Sequence, residues 1–237
     1  MQEFITGTGG ILIYFAVAAS IALACRFFFK IPDEIFRKTL HTILLMSLLV
    51  FVYVFETWWL AVIEAIAFAV VVYPILAVME HFKGFSELTT ERKSGELKAS
   101  LLLVFFMFAV VIAICWGWVG DKYLVLASIY AWGFGDAAAA LIGKRFGKHK
   151  IMWKYLDGKK SIEGTVAMFI VSLVSVAIIL LCRGALPVTG YIVIPLIVAA
   201  VSAFAELYSR GGMDTVICPF SAMVVLLPLI YAFGGLA

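Results

Sequence analysis

The chain has 237 residues, of which 65% are hydrophobic and only 14% charged, with a mean hydropathy of +1.11. A soluble domain keeps roughly a quarter of its residues charged to wet its surface, so this composition excludes one. The net charge of +3 is too small to serve as a nucleic-acid footprint, and no nucleic-acid partner is expected.

Apolar runs of about 20 residues, enough to cross a hydrocarbon core of ~30 Å, recur along the whole chain. They predict helices near 10–29, 39–55, 57–80, 99–119, 122–142, 163–183, 188–208 and 213–234. The expected fold is all-α, a polytopic transmembrane helical bundle of about eight spans in a single membrane domain over 1–237. A membrane barrel would show ~10-residue segments of alternating polarity instead. Met1-Gln2-Glu3-Phe4 lacks the positive region of a cleaved leader, so the first helix is expected to stay as an anchor. All but Lys122 and Arg183 of the 18 Lys and Arg fall in the first, third, fifth and seventh connections or the helix ends beside them. The positive-inside rule then places those connections on the cytoplasmic side and both termini outside.

Polar residues within or beside spans are expensive, so each is a candidate for function. Ahead of the second span, the stretch 32–41 carries Arg37, Lys38 and His41 within one helical turn. In the third span Glu64 lies toward the outer side, where a buried polar contact between helices is its expected role. The fifth span holds Asp136 in the run Trp132-Gly133-Phe134-Gly135-Asp136. Asp136, Ala140, Gly143 and Gly147 share one helical face by spacings of four, three and four. Such a face either packs closely against another helix or admits a ligand whose metal Asp136 holds.

The connection that follows places seven basic residues within 144–160, including Lys144 and Lys160. It runs into Asp157-Gly158-Lys159-Lys160-Ser161-Ile162-Glu163-Gly164-Thr165, with Ser161 as the predicted N-cap of the sixth helix. Lys160 and the first-turn amides would form an anion site. Glu163 either complements the helix dipole or acts as a metal ligand or proton acceptor, while Gly164 and Thr165 permit close approach. Around the seventh connection, Glu206 and Asp214 are not ordinary loop decoration. The four cysteines form no CxxC pair and the three histidines no HExxH pattern, so soft-metal chemistry has no support.

Magnesium takes carboxylate oxygens and substrate phosphates, with Arg and Lys neutralising the remaining charge. The carboxylates Asp136, Glu163, Glu206 and Asp214 and the bases Arg37, Lys38, Lys144 and Lys160 therefore suit phosphoryl or nucleotidyl transfer at a membrane surface. A Walker-type enzyme is not suggested, because GxxxxGK[ST] does not occur.

Gly135-Asp136 through Gly143-Lys144 and Gly147, then Lys160-Ser161-Ile162-Glu163-Gly164-Thr165, resembles the dolichol kinase and phytol kinase family. That family includes CTP-dependent diacylglycerol kinases and is related to the CDP-diacylglycerol synthases. Arg37-Lys38 with His41 is similar to the family's early basic motif, and Arg92-Lys93-Ser94-Gly95-Glu96, within 91–98, to its second cytoplasmic motif. Glu206, Asp214 and Pro219 resemble its C-terminal element, although Thr215 stands where the family has Asn.

The resemblance implies CTP as phosphoryl donor, a divalent cation such as Mg2+, and a membrane lipid alcohol of the phytol, geranylgeraniol or polyprenol type as acceptor, with CDP released. Asp136, Glu163, Asp214 and Glu206 would then hold metal or orient the hydroxyl. Arg37, Lys38, Gly143, Lys144, Lys160, Ser161, Gly164 and Thr165 would bind nucleotide and phosphate, with His41, Arg92 and Glu96 contributing nearby. Residence in a prokaryotic plasma membrane is expected, a plastid envelope next, and a homodimer stays open. The rival readings are a CTP-dependent diacylglycerol kinase or CDP-lipid cytidylyltransferase and, from another class, a small transporter with Asp136 and Glu64 on its substrate path.

Overall fold

A computed structural model describes residues 2–81, 95–152, 160–209 and 212–235. Arg92 and the stretch 153–159 lie outside the described residues, as do Arg210 and Gly211; of Glu96 only the backbone is described. Among the described residues, eight helical segments are long and apolar enough to cross a membrane, and the fold is a polytopic helical bundle. They are built from α1 (Gln2–Phe29), α2 (Asp33–Met46), α3 (Leu48–Val54), α4 (Trp58–Met79), α5 (Glu96–Val111), α6 (Lys122–Phe146), α7 (Ile162–Arg183), α8 (Val188–Tyr208) and α9 (Asp214–Ala232).

Three boundaries differ from expectation. The first helix begins at Gln2, well before residue 10, where Glu3 accepts hydrogen bonds from the Glu56 and Thr57 amides, both at 2.9 Å. The carboxylate thereby satisfies amides at the start of α4 and favours that helix dipole. The second span starts at Asp33 and breaks into α2 and α3 at Ser47, whose hydroxyl bonds the Leu44 carbonyl at 2.7 Å. The fourth span closes with a π-helical segment, Ile112–Trp118.

The helices cluster into two compact units, Met1–Ala113 and Ile114–Ala237. In the first, α1 packs against α2, α3 and α4, and α4 against α5. Its interior is aromatic: Phe68 lies 5.1 Å from Phe15 and 4.8 Å from Phe105, centroid to centroid. Thr8 of α1 donates to Glu64 of α4 at 2.7 Å. Glu64 is only 2% exposed, so it is the buried interhelical contact anticipated from sequence.

The second unit is a four-helix arrangement in which α6 packs on α7, α7 on α8, α8 on α9 and α9 back on α6. Short connections reverse the chain between α7 and α8 and between α8 and α9, as in up-down bundles. On α7 the large exposed residues Ile162, Val166, Ile170, Val174 and Ile178 recur every four positions. The buried stripe opposite is Gly164, Met168, Ser172, Val176 and Leu180. This is a membrane helix's polarity, with a β-branched apolar face outward to lipid and the small and polar residues, Gly164 and Ser172, on the packed face.

At one end of this unit Asp121 caps α6 by accepting from the Tyr123 amide at 2.9 Å. The same carboxylate meets Arg183 at 2.5 Å, and Arg183 also donates to the Gly235 carbonyl. The end of α7, the start of α6 and the end of the α9 segment are thus tied by one guanidinium.

Candidate active site

The opposite end of the second unit gathers the C-terminal turns of α6 and α8 with the N-terminal turns of α7 and α9. The small residues around Asp136 serve helix packing first. A methyl group at Gly135 would come within 2.5 Å of both Met168 Sδ and Ser172 Oγ on α7. At Gly143 it would lie 3.2 Å from Ser161 Oγ and 3.5 Å from the Gly164 Cα. The α6 and α7 backbones therefore meet through Gly143 and Gly164, and Ser172 completes the seam by donating to the Ala131 carbonyl. Asp136 is half-buried beside this seam.

The two described ends of the connection between α6 and α7, 147–152 and 160–161, meet each other. Lys150 and Ser161 form an antiparallel bridge, with Ile151 N–H bonded to the Lys160 carbonyl and Ile162 N–H to the His149 carbonyl, both at 3.0 Å. Ser161 is the N-cap, as predicted, its hydroxyl accepting from the Gly164 amide at 3.2 Å. The leading amides of α7, expected to face an anion, are therefore largely engaged within the chain. Glu163 reaches back to the stretch that follows α6, accepting from the Lys148 amide at 3.1 Å and meeting His149 Nδ1 at 2.7 Å. Its carboxylate clasps residues 148 and 149, and His149 is a partner that no sequence motif signalled.

Lys160 points to the far side of the cluster. Its ammonium lies 2.9 Å from Glu206 Oε1 and also donates to the Glu206 carbonyl. That carbonyl accepts from Ser209 Oγ at 2.8 Å as well. A cation and a hydroxyl thus complete the C-terminus of α8, where unpaired carbonyls and the negative end of the dipole favour positive charge. Asp136, Asp214 and Lys160 all act electrostatically on Glu206, and these four charges act on Cys218, buried on α9 one turn from Asp214. Four residues from four separate stretches of chain therefore converge at the end of the unit opposite the Asp121–Arg183 pair.

Lys144 is exposed in the last turn of α6, and Thr165 is half-buried in the first turn of α7. Thr215, in the first turn of α9, is buried. In the first unit Arg37 pairs with Glu34 at 2.7 Å, Lys38 is buried at 8% exposure, and His41 follows one turn later on α2. Among the described residues, no three His, Cys, Asp or Glu side chains are grouped so as to hold a metal ion by themselves.

No protein-family profile matches the chain, and no solved structure matches it. Over 101 residues, 41% of its length, the chain is 33% identical to a protein of Synechocystis sp. (strain ATCC 27184 / PCC 6803 / Kazusa) described as phytol kinase, and the match covers 40% of that relative. The similarity is thus to a lipid-alcohol kinase, over part of each chain.

Proposed function

We propose that the protein phosphorylates the hydroxyl of a membrane lipid alcohol, with CTP as donor and CDP as product. The observation that carries this reading is the convergence of Asp136, Glu206, Asp214 and Lys160 at one end of an apolar four-helix unit, supported by the partial similarity to phytol kinase. An apolar substrate body belongs among such helices, while a triphosphate needs cations and carboxylate-held metal at the surface.

The residues fit magnesium chemistry, since this ion usually takes one or two carboxylates and completes its shell with water and substrate phosphates. Asp136 and Asp214, which share the electrostatic neighbourhood of Glu206, would hold it. When bound, the ion would neutralise and orient the triphosphate. In the reaction, the alcohol oxygen attacks the γ-phosphorus and the bond from that phosphorus to the β-bridging oxygen breaks. The electron pair leaves with CDP, and the hydroxyl proton passes to a carboxylate of the cluster.

Lys160 would move or share its ammonium with phosphate oxygens, and Lys144, on the exposed end of α6, would add a second cation. Arg37 and Lys38 are assigned to the triphosphate on the resemblance of their motif. The basic connections support a cytoplasmic location for this face, where the nucleotide is available, and the membrane is proposed to be a prokaryotic plasma membrane.

The test is a product assay on purified protein in detergent, using γ-labelled CTP, magnesium and a panel of phytol, geranylgeraniol, polyprenol and diacylglycerol. Label in a lipid phosphate together with CDP is the expected result and names the acceptor. ATP at equal concentration tests the nucleotide. Label released as pyrophosphate when a lipid phosphate is supplied would reassign the protein to cytidylyl transfer.

A further inference from the structure

The inward stripe of α8 runs Gly190, Ile194, Val198, Ser202, Glu206, one residue every four, and all five are buried. Ser202 is the first polar group met on this stripe when moving from the apolar end toward the carboxylates. Its side chain is fully buried, and among the described residues its hydroxyl has no hydrogen-bond partner.

Other hydroxyls here behave differently. Ser128 bonds the carbonyl four residues back at 2.8 Å, and Ser172 bonds Ala131 across the helix seam. The corresponding carbonyl of Val198 is open in principle to Ser202, as to any helical serine, yet Ser202 does not take it. A buried polar atom without a partner is destabilising and calls for a reason.

Position supplies one. Helical side chains lean toward the N-terminus and cover the preceding turn, so Glu206 projects back over the turn that begins at Ser202. Four residues of helix separate the two by about 6 Å of rise. Glu206 is itself within electrostatic range of Asp136 and Asp214. The unpartnered hydroxyl therefore stands one turn deeper in the apolar unit than the charged cluster, on the same stripe.

We propose that Ser202 binds the hydroxyl of the acceptor alcohol, an assignment that rests on the kinase reading above. The alcohol's chain needs apolar surroundings and its oxygen must reach the cluster, so the oxygen crosses from one environment to the other at this depth. Ser202 Oγ–H donates to the acceptor oxygen and leaves that oxygen's own proton for a carboxylate. A substrate ending in methyl would leave the serine unpaired, so Ser202 also discriminates an alcohol from an alkane.

The experiment compares wild type with Ser202→Ala in two measurements on the full chain in detergent. In turnover, the variant is expected to raise KM for the alcohol about 3- to 10-fold, the range of one neutral hydrogen bond, with KM for CTP unchanged. In thermal denaturation without nucleotide, wild type is expected to gain more from a long-chain alcohol than from the alkane of equal length, and Ser202→Ala to lose that difference. Ser202→Cys, similar in volume but a weak hydrogen-bonding group, is expected to shift both readouts in the same direction and serves if the alanine variant does not fold.

An unchanged KM for the alcohol, or a melting difference that survives in the variants, would overturn the role of Ser202 and leave water as its partner. Absence of lipid phosphate from wild type would overturn the kinase reading instead, and the alcohol-against-alkane melting comparison would then still decide Ser202.

Discussion

Asp136 and Glu206 show how different two carboxylates of one cluster can be. Glu206 is held by Lys160 at 2.9 Å, and both side chains are mostly buried, at 18% and 12% exposure for Lys160 and Glu206. Removing one partner strands the other's charge in a desolvated place, at a cost of roughly 3 kcal/mol. Lys160→Met and Glu206→Gln should each lower the melting temperature, and the double variant should recover much of the loss. A double-mutant cycle in detergent measures the coupling, and additive effects would show that the pair is not an energetic unit. Asp136→Asn keeps shape and removes charge. If this carboxylate holds the metal, lipid phosphate formation should fall by about 100-fold or more, while the melting temperature stays close to wild type. Full activity in Asp136→Asn would remove the residue from the site.

At the scale of elements, the α6–α7 seam positions the cluster. Gly135 adjoins Asp136, and a methyl there meets Met168 Sδ and Ser172 Oγ at 2.5 Å. The methionine can swing aside, but Ser172 is bonded to Ala131, so the helices must separate. Gly135→Ala should therefore cost about 1–3 kcal/mol by overpacking and should reduce activity through displacement of Asp136. Circular dichroism melting alongside the product assay separates these effects from a loss of helix. The start of α7 rests on Ser161, and Ser161→Ala should cost about 1 kcal/mol, the usual value for an N-cap. A change of that size in Ser161→Ala, rescued by Ser161→Asp, would identify capping as the cause. An effect on nucleotide KM without a change in melting would instead identify Ser161 as a phosphate contact.

For the whole molecule, an even number of spans predicts both termini on one side of the membrane, and the positive-inside rule predicts that side to be outside. Reporter fusions at each terminus and within 147–150 test this directly. The expected pattern is both termini external and the 147–150 site cytoplasmic. Termini on opposite sides would mean that one of the eight apolar helices does not span. Thr8→Val adds a stability test within the first unit. It leaves Glu64, 2% exposed, without the 2.7 Å hydroxyl it now accepts from, and should lower stability by about 1–3 kcal/mol, read as a lower melting temperature.

Much of this was legible in the chain alone. Membrane insertion depends on the free energy of transferring each segment into hydrocarbon, a sum over local residues. The eight spans, the Ser161 cap and the buried interhelical role of Glu64 could therefore be read without tertiary information. The break at Ser47 and the π-helical end of the fourth span could not, because an apolar run looks the same whether its hydrogen-bond ladder is regular or interrupted. Nor could sequence show that Gly143 and Gly164 meet across the α6–α7 seam, since small residues suit packing and ligand roles alike. The partners of the charged groups were also undetermined. Lys160 and Glu206 are 46 positions apart, and a charge's neighbours depend on which helix ends meet in space. Sequence by itself determined that the chain is a membrane bundle with a polar face, because hydrophobic transfer is additive along the chain. Only the tertiary structure decided that Asp136, Lys160, Glu206 and Asp214 form one cluster, because electrostatic contact depends on three-dimensional distance.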